Sequence, residues 1–319
     1  MKIFRGINSI HRANGSVATI GVFDGVHRGH RAVIKKVVER ARALGTKSVV
    51  VTFDPHPSKV LRKGRAAPSL ISLEHRIRLI EELGVDILVI LAFTDELARC
   101  SAEKFVKRIL VNGLGVKEVY IGENFFFGRG ARAGASRLRL IAGATSVTVK
   151  AVPFIRTGGK TASSSLVRKL IFSGRIGMAK RVLGRPVAIL GTVVPGSGLA
   201  RGLGYPTANI NPHHEVIPPR GVYAVNIRYG GKSLGGVLNI GWKPTFFSPR
   251  DREPTIEVHI FDFRRKIYGR VLEMLFVKKI RNEIRFKGRE PLVRQIRRDV
   301  AAARRILRPI KCSIPRCCK

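Results

Sequence analysis

The sequence predicts two unlike halves: an α/β domain built on a parallel sheet, then a small antiparallel β-barrel with a C-terminal helix. Three observations carry this. Through the first 184 residues, apolar runs alternate with segments of helical spacing. After Gly184-Arg185-Pro186 the helical spacing gives way to short β-rich runs, separated by turns of Gly, Pro and Asn. A last segment, Glu290 to about Leu307, is helical again.

Taken in order, Val17–Val22 reads as a buried strand and Ala32–Leu44 as a helix, with Val33, Ile34, Val37, Val38 and Ala41 on its apolar face. Lys47–Phe53 is the next strand, and Ser72 caps a helix running to Leu83. Asp86–Phe93 is a strand, Ala102–Val111 a helix, and Glu118–Gly122 and Ser146–Val152 are strands. Ala162 opens a helix that runs to about Ser173. Strands alternating with helices imply right-handed crossovers and a Rossmann-like sheet covered on both faces. Ligands in such sheets sit at the carboxyl ends of the strands. There the sequence places Gly21–His30, Thr52-Phe53-Asp54-Pro55-His56-Pro57 and Gly122-Glu123-Asn124-Phe125. In the second half, Ala188–Val194, Gly221–Arg228, Ser233–Ile240, Thr255–Phe263 and Arg270–Val277 are short strands of a small barrel. The expected domains are therefore residues 1–184 and 185–310, with a basic, disordered tail at 311–319.

The chain of 319 residues is 45% hydrophobic, enough for two real cores. No apolar run approaches the ~20 residues of a membrane span, and the first residues lack a signal-peptide block, so the expected location is the cytoplasm. Four cysteines make no disulfide framework, and Cys312, Cys317 and Cys318 lack a fourth zinc ligand at a usual spacing. The net charge of +39 comes without a recognisable nucleic-acid-binding motif, and the basic residues are spread along the chain. That combination predicts nonspecific polyanion binding at low salt, fast steering of anionic substrates, and no specific nucleic-acid or membrane partner.

The chemistry centres on Gly21-Val22-Phe23-Asp24-Gly25-Val26-His27-Arg28-Gly29-His30. A strand–turn–helix junction aims backbone N–H groups and a helix dipole at one point, which suits a phosphate. His27 and His30 face the same way three residues apart, and Gly29 leaves room for a nucleotide. Two imidazoles there can stabilise charge building on an α-phosphate during nucleotidyl transfer. Ser163 and Ser164 open the later helix with Arg168 one turn on; their hydroxyls either cap it or hold phosphate oxygens. Gly159-Lys160-Thr161 is not a P-loop, because Phe154 stands where its first glycine belongs. In the second half, Gly204-Tyr205-Pro206-Thr207-Ala208-Asn209 is either a turn or a phosphate loop whose Thr207 and Asn209 oxygens take Mg²⁺. Glu257 alternates with the apolar Ile256, Val258 and Ile260. It is either a solvated strand residue or a general base for a substrate hydroxyl.

These motifs, in this order, resemble the bifunctional riboflavin kinase/FMN adenylyltransferase family, the prokaryotic FAD synthetases. Asp54-Pro55-His56-Pro57, Gly122 to Gly128, Ser163-Ser164-Ser165-x-x-Arg168, Gly221-Val222-Tyr223-Ala224, Asn239 to Phe246 and Glu257-Val258-His259 extend the match over nearly the whole chain. Leu166, Asn124, Ala135, Ala200 and Trp242-Lys243 depart from the usual family residues. The resemblance implies ATP-dependent phosphorylation of riboflavin to FMN in the barrel and adenylylation of FMN to FAD, with release of pyrophosphate, in the first domain. It implies Glu257, His27 and His30 as catalytic residues. Gly21, Phe23, Asp24, Gly29, Ser163, Ser164 and Arg168 would serve the nucleotide in one half, and Gly204, Pro206, Thr207 and Asn209 Mg-ATP in the other. Asp54, His56, Asn124, Phe125 and Phe127 would bind flavin.

Overall fold

The computed structural model describes residues 1–6, 15–62, 66–123, 125–131, 133–196, 202–214, 216–242 and 254–308. The chain divides into two compact units, residues 1–169 with 181–184, and residues 170–180 with 185–319.

The first unit is organised by six strands: β1 (Lys2–Arg5), β2 (Ser16–Ile20), β3 (Ser48–Asp54), β4 (Ile87–Ala92), β5 (Val116–Gly122) and β6 (Thr148–Val152). Their order is β1-β4-β3-β2-β5-β6, and every pairing is parallel. All five residues of β2 are buried, as a strand covered on both faces requires. Val17 packs with Val33, Val37 and Ala41 of α1 (Arg28–Ala43), while Ala18 faces the larger core on the other side. Strand order reverses between β2 and β5, the switch point at which such sheets bind ligands.

Several elements differ from the sequence pattern at their ends or in type. β2 stops at Ile20 and α1 starts at Arg28, because Gly21 to His27 form a clamped turn. Phe23 and Val26 sit there at φ 52° and φ 40°, a region that bulky and β-branched residues avoid. α2 (Pro57–Leu61), α3 (Leu73–Glu81) and α4 (Asp95–Arg99) follow, capped by the side chains of His56, Ser72 and Thr94. The helix expected at 102–111 is α-helical only in α5 (Ala102–Phe105) and continues as a π-helix, Val106–Gly113. Its Val106, Ile109 and Leu110 all reach the core. α6 (Ala135–Gly143) precedes β6, and Gly159-Lys160-Thr161 lies in a hairpin of β7 (Arg156–Thr157) and β8 (Lys160–Thr161). Gly158 and Gly159 both have positive φ, as a tight hairpin turn demands. α7 (Ser164–Phe172) and α8 (Ile176–Leu183) follow, and residues 170–180 of this stretch belong to the second unit.

The second unit is a closed antiparallel barrel in the order β10-β13-β12-β11-β14-β9. Its strands are β9 (Ala188–Val194), β10 (Ala208–Pro212), β11 (Gly221–Tyr229), β12 (Lys232–Trp242), β13 (Pro254–Ile260) and β14 (Val271–Arg281). β10 has no counterpart in the sequence pattern, where Ala208 and Asn209 read as part of a loop; its short run becomes a strand by pairing with both β9 and β13. Inside the barrel Tyr223 is buried edge-on to Phe276 at 5.1 Å, and its hydroxyl donates to Pro219 O. Burial pushes that phenol up to about 12. The C-terminal helix α9 (Arg289–Leu307) packs Val300, Ala303, Ile306 and Leu307 with Ala224, Val237 and Phe261 of the barrel. The tail at 311–319 lies outside the described residues.

Candidate active sites

A cavity of about 470 Å³ opens at the carboxyl ends of β2, β3 and β5. Gly21, Phe23, His27, Gly29, His30, Phe125, Phe127, Ser163 and Ser164 all line it. The fold thus brings one turn's imidazoles to the serine-rich start of a helix more than a hundred residues away. His27 is the N-cap of α1, and its Nδ1 accepts the His30 N–H at 3.4 Å. A neutral ring accepting at Nδ1 carries its proton on Nε2. The two imidazoles stack at 3.7 Å with a 22° interplanar angle, and His30 meets the Phe23 ring edge-on at 5.3 Å. A Cβ on Gly29 would lie 3.2 Å from the His27 ring, so only glycine leaves that stack undisturbed.

The electrostatics favour a neutral His30. Burial pushes its pKa well below the ordinary histidine value, and the neighbouring His27 and Arg76 push in the same direction. His30 Nδ1 and Thr19 Oγ1, from two cavity-lining residues, are buried and have no hydrogen-bond partner among the described residues. Buried polar atoms left this way fit a site completed by a polar ligand.

Asp24 and Arg168 are absent from the cavity lining. They are bonded to each other at 2.9 Å, with Asp24 Oδ1 also accepting Leu70 N–H and Arg168 Nε donating to Pro68 O. Ser164 Oγ donates to Asp24 O at 2.8 Å, and Ser163 Oγ caps Leu166 N–H. These bonds tie the β2–α1 turn to the start of α7. Burial raises the Asp24 carboxyl above its ordinary value despite Arg168. Asp54 and His56 also stand off the cavity, whose wall takes Phe53 and Pro57 instead. Asp54 lies 4.0 Å from Arg76, and His56 caps Ser58 N–H. Asn124 lies outside the described residues, as do Pro244 to Phe246 and Ala200. Phe125 and Phe127 stack at 5.5 Å and 15°, forming an aromatic wall.

The sequence reading missed Arg76. Its buried guanidinium donates from one nitrogen to Val22 O at 2.7 Å, Thr52 Oγ1 at 3.1 Å and Phe53 O at 3.1 Å. It therefore ties the β2–α1 turn to the end of β3. An arginine within an amphipathic helix carries no local sign of that job. Phe126 and Phe154 were also not singled out; both are exposed at the cavity.

The second site is a cavity of about 250 Å³ in the barrel unit, lined by Tyr205, Thr207, Asn209, Asn239, Glu257 and His259 among others. Asn209, Glu257 and Asn239 are register partners across β10, β13 and β12, so they form one rung facing the cavity. Ile256, Val258 and Ile260 are buried on the other face, the alternation expected of this strand. His259 hydrogen-bonds Pro206 O at 2.9 Å and stands edge-on to Tyr205, which ties β13 to the Gly204–Thr207 loop. Gly204 has a φ of 84° in that loop, and neither it nor Pro206 lines this cavity. At the far side Arg281 makes a fork onto the buried Asp299 of α9, at 2.7 to 3.0 Å. Thr207 and Pro206 also line a neighbouring cavity of about 420 Å³ carrying Arg264, Arg265 and Lys266. Among the described residues no cluster of three or more His, Cys, Asp or Glu forms a metal cage. No described helix is long and apolar enough to cross a membrane.

Fold and site together define a two-module enzyme, a nucleotide-binding parallel sheet followed by a six-stranded barrel with its own cavity. The FAD synthetase family model matches residues 9–166 and the riboflavin kinase family model residues 183–307. The chain is 40% identical to the bifunctional riboflavin kinase/FMN adenylyltransferase of Pseudomonas fluorescens, over 97% of this chain and 99% of that protein. It is 37% identical to the enzyme of the same name from Escherichia coli K12, over 95% and 97%. A crystal structure described as a macrolide-efflux protein from Streptococcus pneumoniae matches with a TM-score of 0.85 at 27% identity, covering 95% of this chain and 99% of that one. The chain belongs to the bifunctional riboflavin kinase/FMN adenylyltransferase family.

Proposed function

We propose that the two cavities divide the synthesis of FAD, residues 185–310 converting riboflavin to FMN and residues 1–184 joining FMN to the adenylyl group of ATP. Both family modules are present in one chain, so the enzyme is a riboflavin kinase and an FMN adenylyltransferase. The observation that carries the adenylyltransferase site is the convergence of stacked imidazoles, serine hydroxyls and unpartnered buried polar atoms at the sheet's switch point.

In the first site the phosphate of FMN attacks the α-phosphorus of ATP, and the bond to pyrophosphate breaks. His27 and His30 hold the reacting phosphates, donating hydrogen bonds as charge builds on them. Ser163, Ser164 and the start of α7 hold the triphosphate, with Gly21 and Gly29 giving it close access to backbone. Phe125 and Phe127 face the flavin ring, and Asn124 is assigned to the same flavin. Asp54 and His56 support the flavin wall from behind Phe53 and Pro57. Phe23 packs on His30, and Asp24 and Arg168 brace the nucleotide turn.

In the barrel, Glu257 takes the proton of the terminal ribityl hydroxyl as that oxygen attacks the γ-phosphorus of ATP; the bond from that phosphorus to the bridging oxygen breaks and ADP leaves. Thr207 lines both barrel cavities, which supports phosphates lying between a flavin on one side and the basic Arg264, Arg265 and Lys266 on the other. Gly204 and Pro206 shape the loop around them. The Thr207 hydroxyl and the Asn209 amide oxygen are hard donors that fit Mg²⁺ brought in with ATP. Bound there, Mg²⁺ would neutralise phosphate charge. Riboflavin and ATP as substrates fit a cytoplasmic enzyme.

The test is direct. Incubated with riboflavin and Mg-ATP, the protein should yield FMN and then FAD by chromatography; absence of FAD would remove the adenylyltransferase assignment. Glu257→Gln should abolish riboflavin phosphorylation yet still make FAD from supplied FMN. Loss of both reactions would contradict separate sites.

A further inference from the structure

The C-terminal helix has two faces with different fates. Leu292, Ile296 and Val300 line the kinase cavity, and Ala303 and Leu307 pack with the barrel. At 3.6 residues per turn, Arg294, Arg297, Arg298, Arg305 and Arg308 fall within one stripe about 100° wide on the other side. All five are exposed. Ala301 is the largest apolar residue in the stripe.

The helix's own carboxylates answer little of this charge. Glu290 reaches Arg294 at 3.5 Å with both side chains well exposed, and Asp299 is buried on the opposite face against Arg281. Arg304, at the stripe's edge, is held by Asp262 at 2.8 Å and lies over the Phe261 ring. Among the described residues, Arg297, Arg298, Arg305 and Arg308 form no ion pair. Like charges at this spacing repel along a helix, so the stripe works against the helix that carries it.

We propose that this arginine stripe is a docking surface for the sugar–phosphate backbone of duplex nucleic acid, engaged without base preference. Guanidinium forks match phosphate oxygens, and the stripe is all arginine with no lysine. From Arg294 to Arg308 it runs about 21 Å at 1.5 Å per residue, the length of about six phosphates along one duplex strand. An interfacial membrane helix must bury its apolar face among lipid chains; here that face is spent on the barrel. No aromatic side chain interrupts the stripe, so stacking on unpaired bases has no platform.

The experiment measures binding of a fluorescein-labelled 20-base-pair DNA duplex to the full chain by anisotropy between 50 and 200 mM salt. The variant is R297Q/R298Q/R305Q/R308Q. Losing four phosphate contacts should lower the log–log salt slope by about 3.6, so the wild-type affinity should fall about 10²-fold more than the variant's over that range. R297K/R298K/R305K/R308K should keep the slope, and the milder R305Q/R308Q should lower it by about 2. FMN formation from riboflavin should be unchanged in all three, which reports an intact barrel. An unchanged slope in both Gln variants would overturn the proposal. So would an equal loss from K35Q/K36Q/K107Q/R108Q, which removes the same charge elsewhere. Loss of binding to phosphatidylserine vesicles with duplex binding retained would overturn it in favour of a membrane.

Discussion

Arg76→Met should loosen the turn that carries the two histidines. That turn holds Phe23 and Val26 at positive φ, a conformation costing on the order of 1–3 kcal/mol for each such residue. It persists because the surrounding bonds outweigh the cost. Arg76 supplies three of them, at 2.7, 3.1 and 3.1 Å. Methionine keeps much of the stem's volume and removes the fork. Val22 O still receives the Thr52 hydroxyl at 3.1 Å, whereas Phe53 O loses the arginine donor. A buried acceptor without a donor costs about 1–3 kcal/mol, and freeing a desolvated guanidinium returns part of the loss. With one carbonyl stripped and two bonds lost, the expected destabilisation is about 2–4 kcal/mol. For a unit of this size that lowers Tm by about 5–15 °C. The charge matters separately. Arg76 helps to hold the His30 pKa down, so its removal lets that pKa rise and His30 protonate at higher pH. Calorimetry on the full chain, NMR titration of the imidazoles and FAD formation from FMN and ATP read these effects. The lower-melting unit, the upward His30 titration and a loss of adenylylation beginning at higher pH should appear together, with riboflavin phosphorylation unchanged. Arg76→Lys should restore the titration better than the melting. A Met variant with wild-type melting and an unmoved His30 would refute this account of the turn.

Two further outcomes follow from ion pairs the fold assembles. Asp299→Ala strands the mostly buried Arg281 and should cost about 3–5 kcal/mol, with R281M/D299L recovering most of it; urea unfolding monitored in the barrel decides this, and an additive double variant would be the contrary result. Glu118 is held at about 2 by hydrogen bonds from Arg40, aided by Lys150 and Tyr120. A carboxyl depressed from its ordinary 4.5 contributes stability that is fully present above about pH 4.5 and is lost as pH falls toward 2. Glu118→Gln should flatten the unfolding free energy between those pH values, and an unaltered acid limb would contradict it.

Much of the site was legible because its signals are local. A histidine pair at i and i+3 across a helix start is brought side by side by local geometry, and the rings stack at 3.7 Å. Period-2 alternation likewise put Glu257 opposite the buried Ile256, Val258 and Ile260. The illegible part is made of partners distant in sequence. Asp24 and Arg168 look like phosphate ligands in isolation, but across 144 residues they bind each other and brace the turn. Arg76 looked like one polar residue of a helix. β10 is too short to announce itself and becomes a strand only between two neighbours.

By itself the sequence determined the kinds of element, their order and the junctions where phosphates can be held, because hydrophobic period, glycine placement and helix capping act within a few residues. Only the tertiary structure decided which charged side chains face the cavities and which are consumed holding the loops. That depends on burial and on strand order, and a carboxylate or guanidinium in a closed turn binds its nearest opposite charge rather than wait for a ligand.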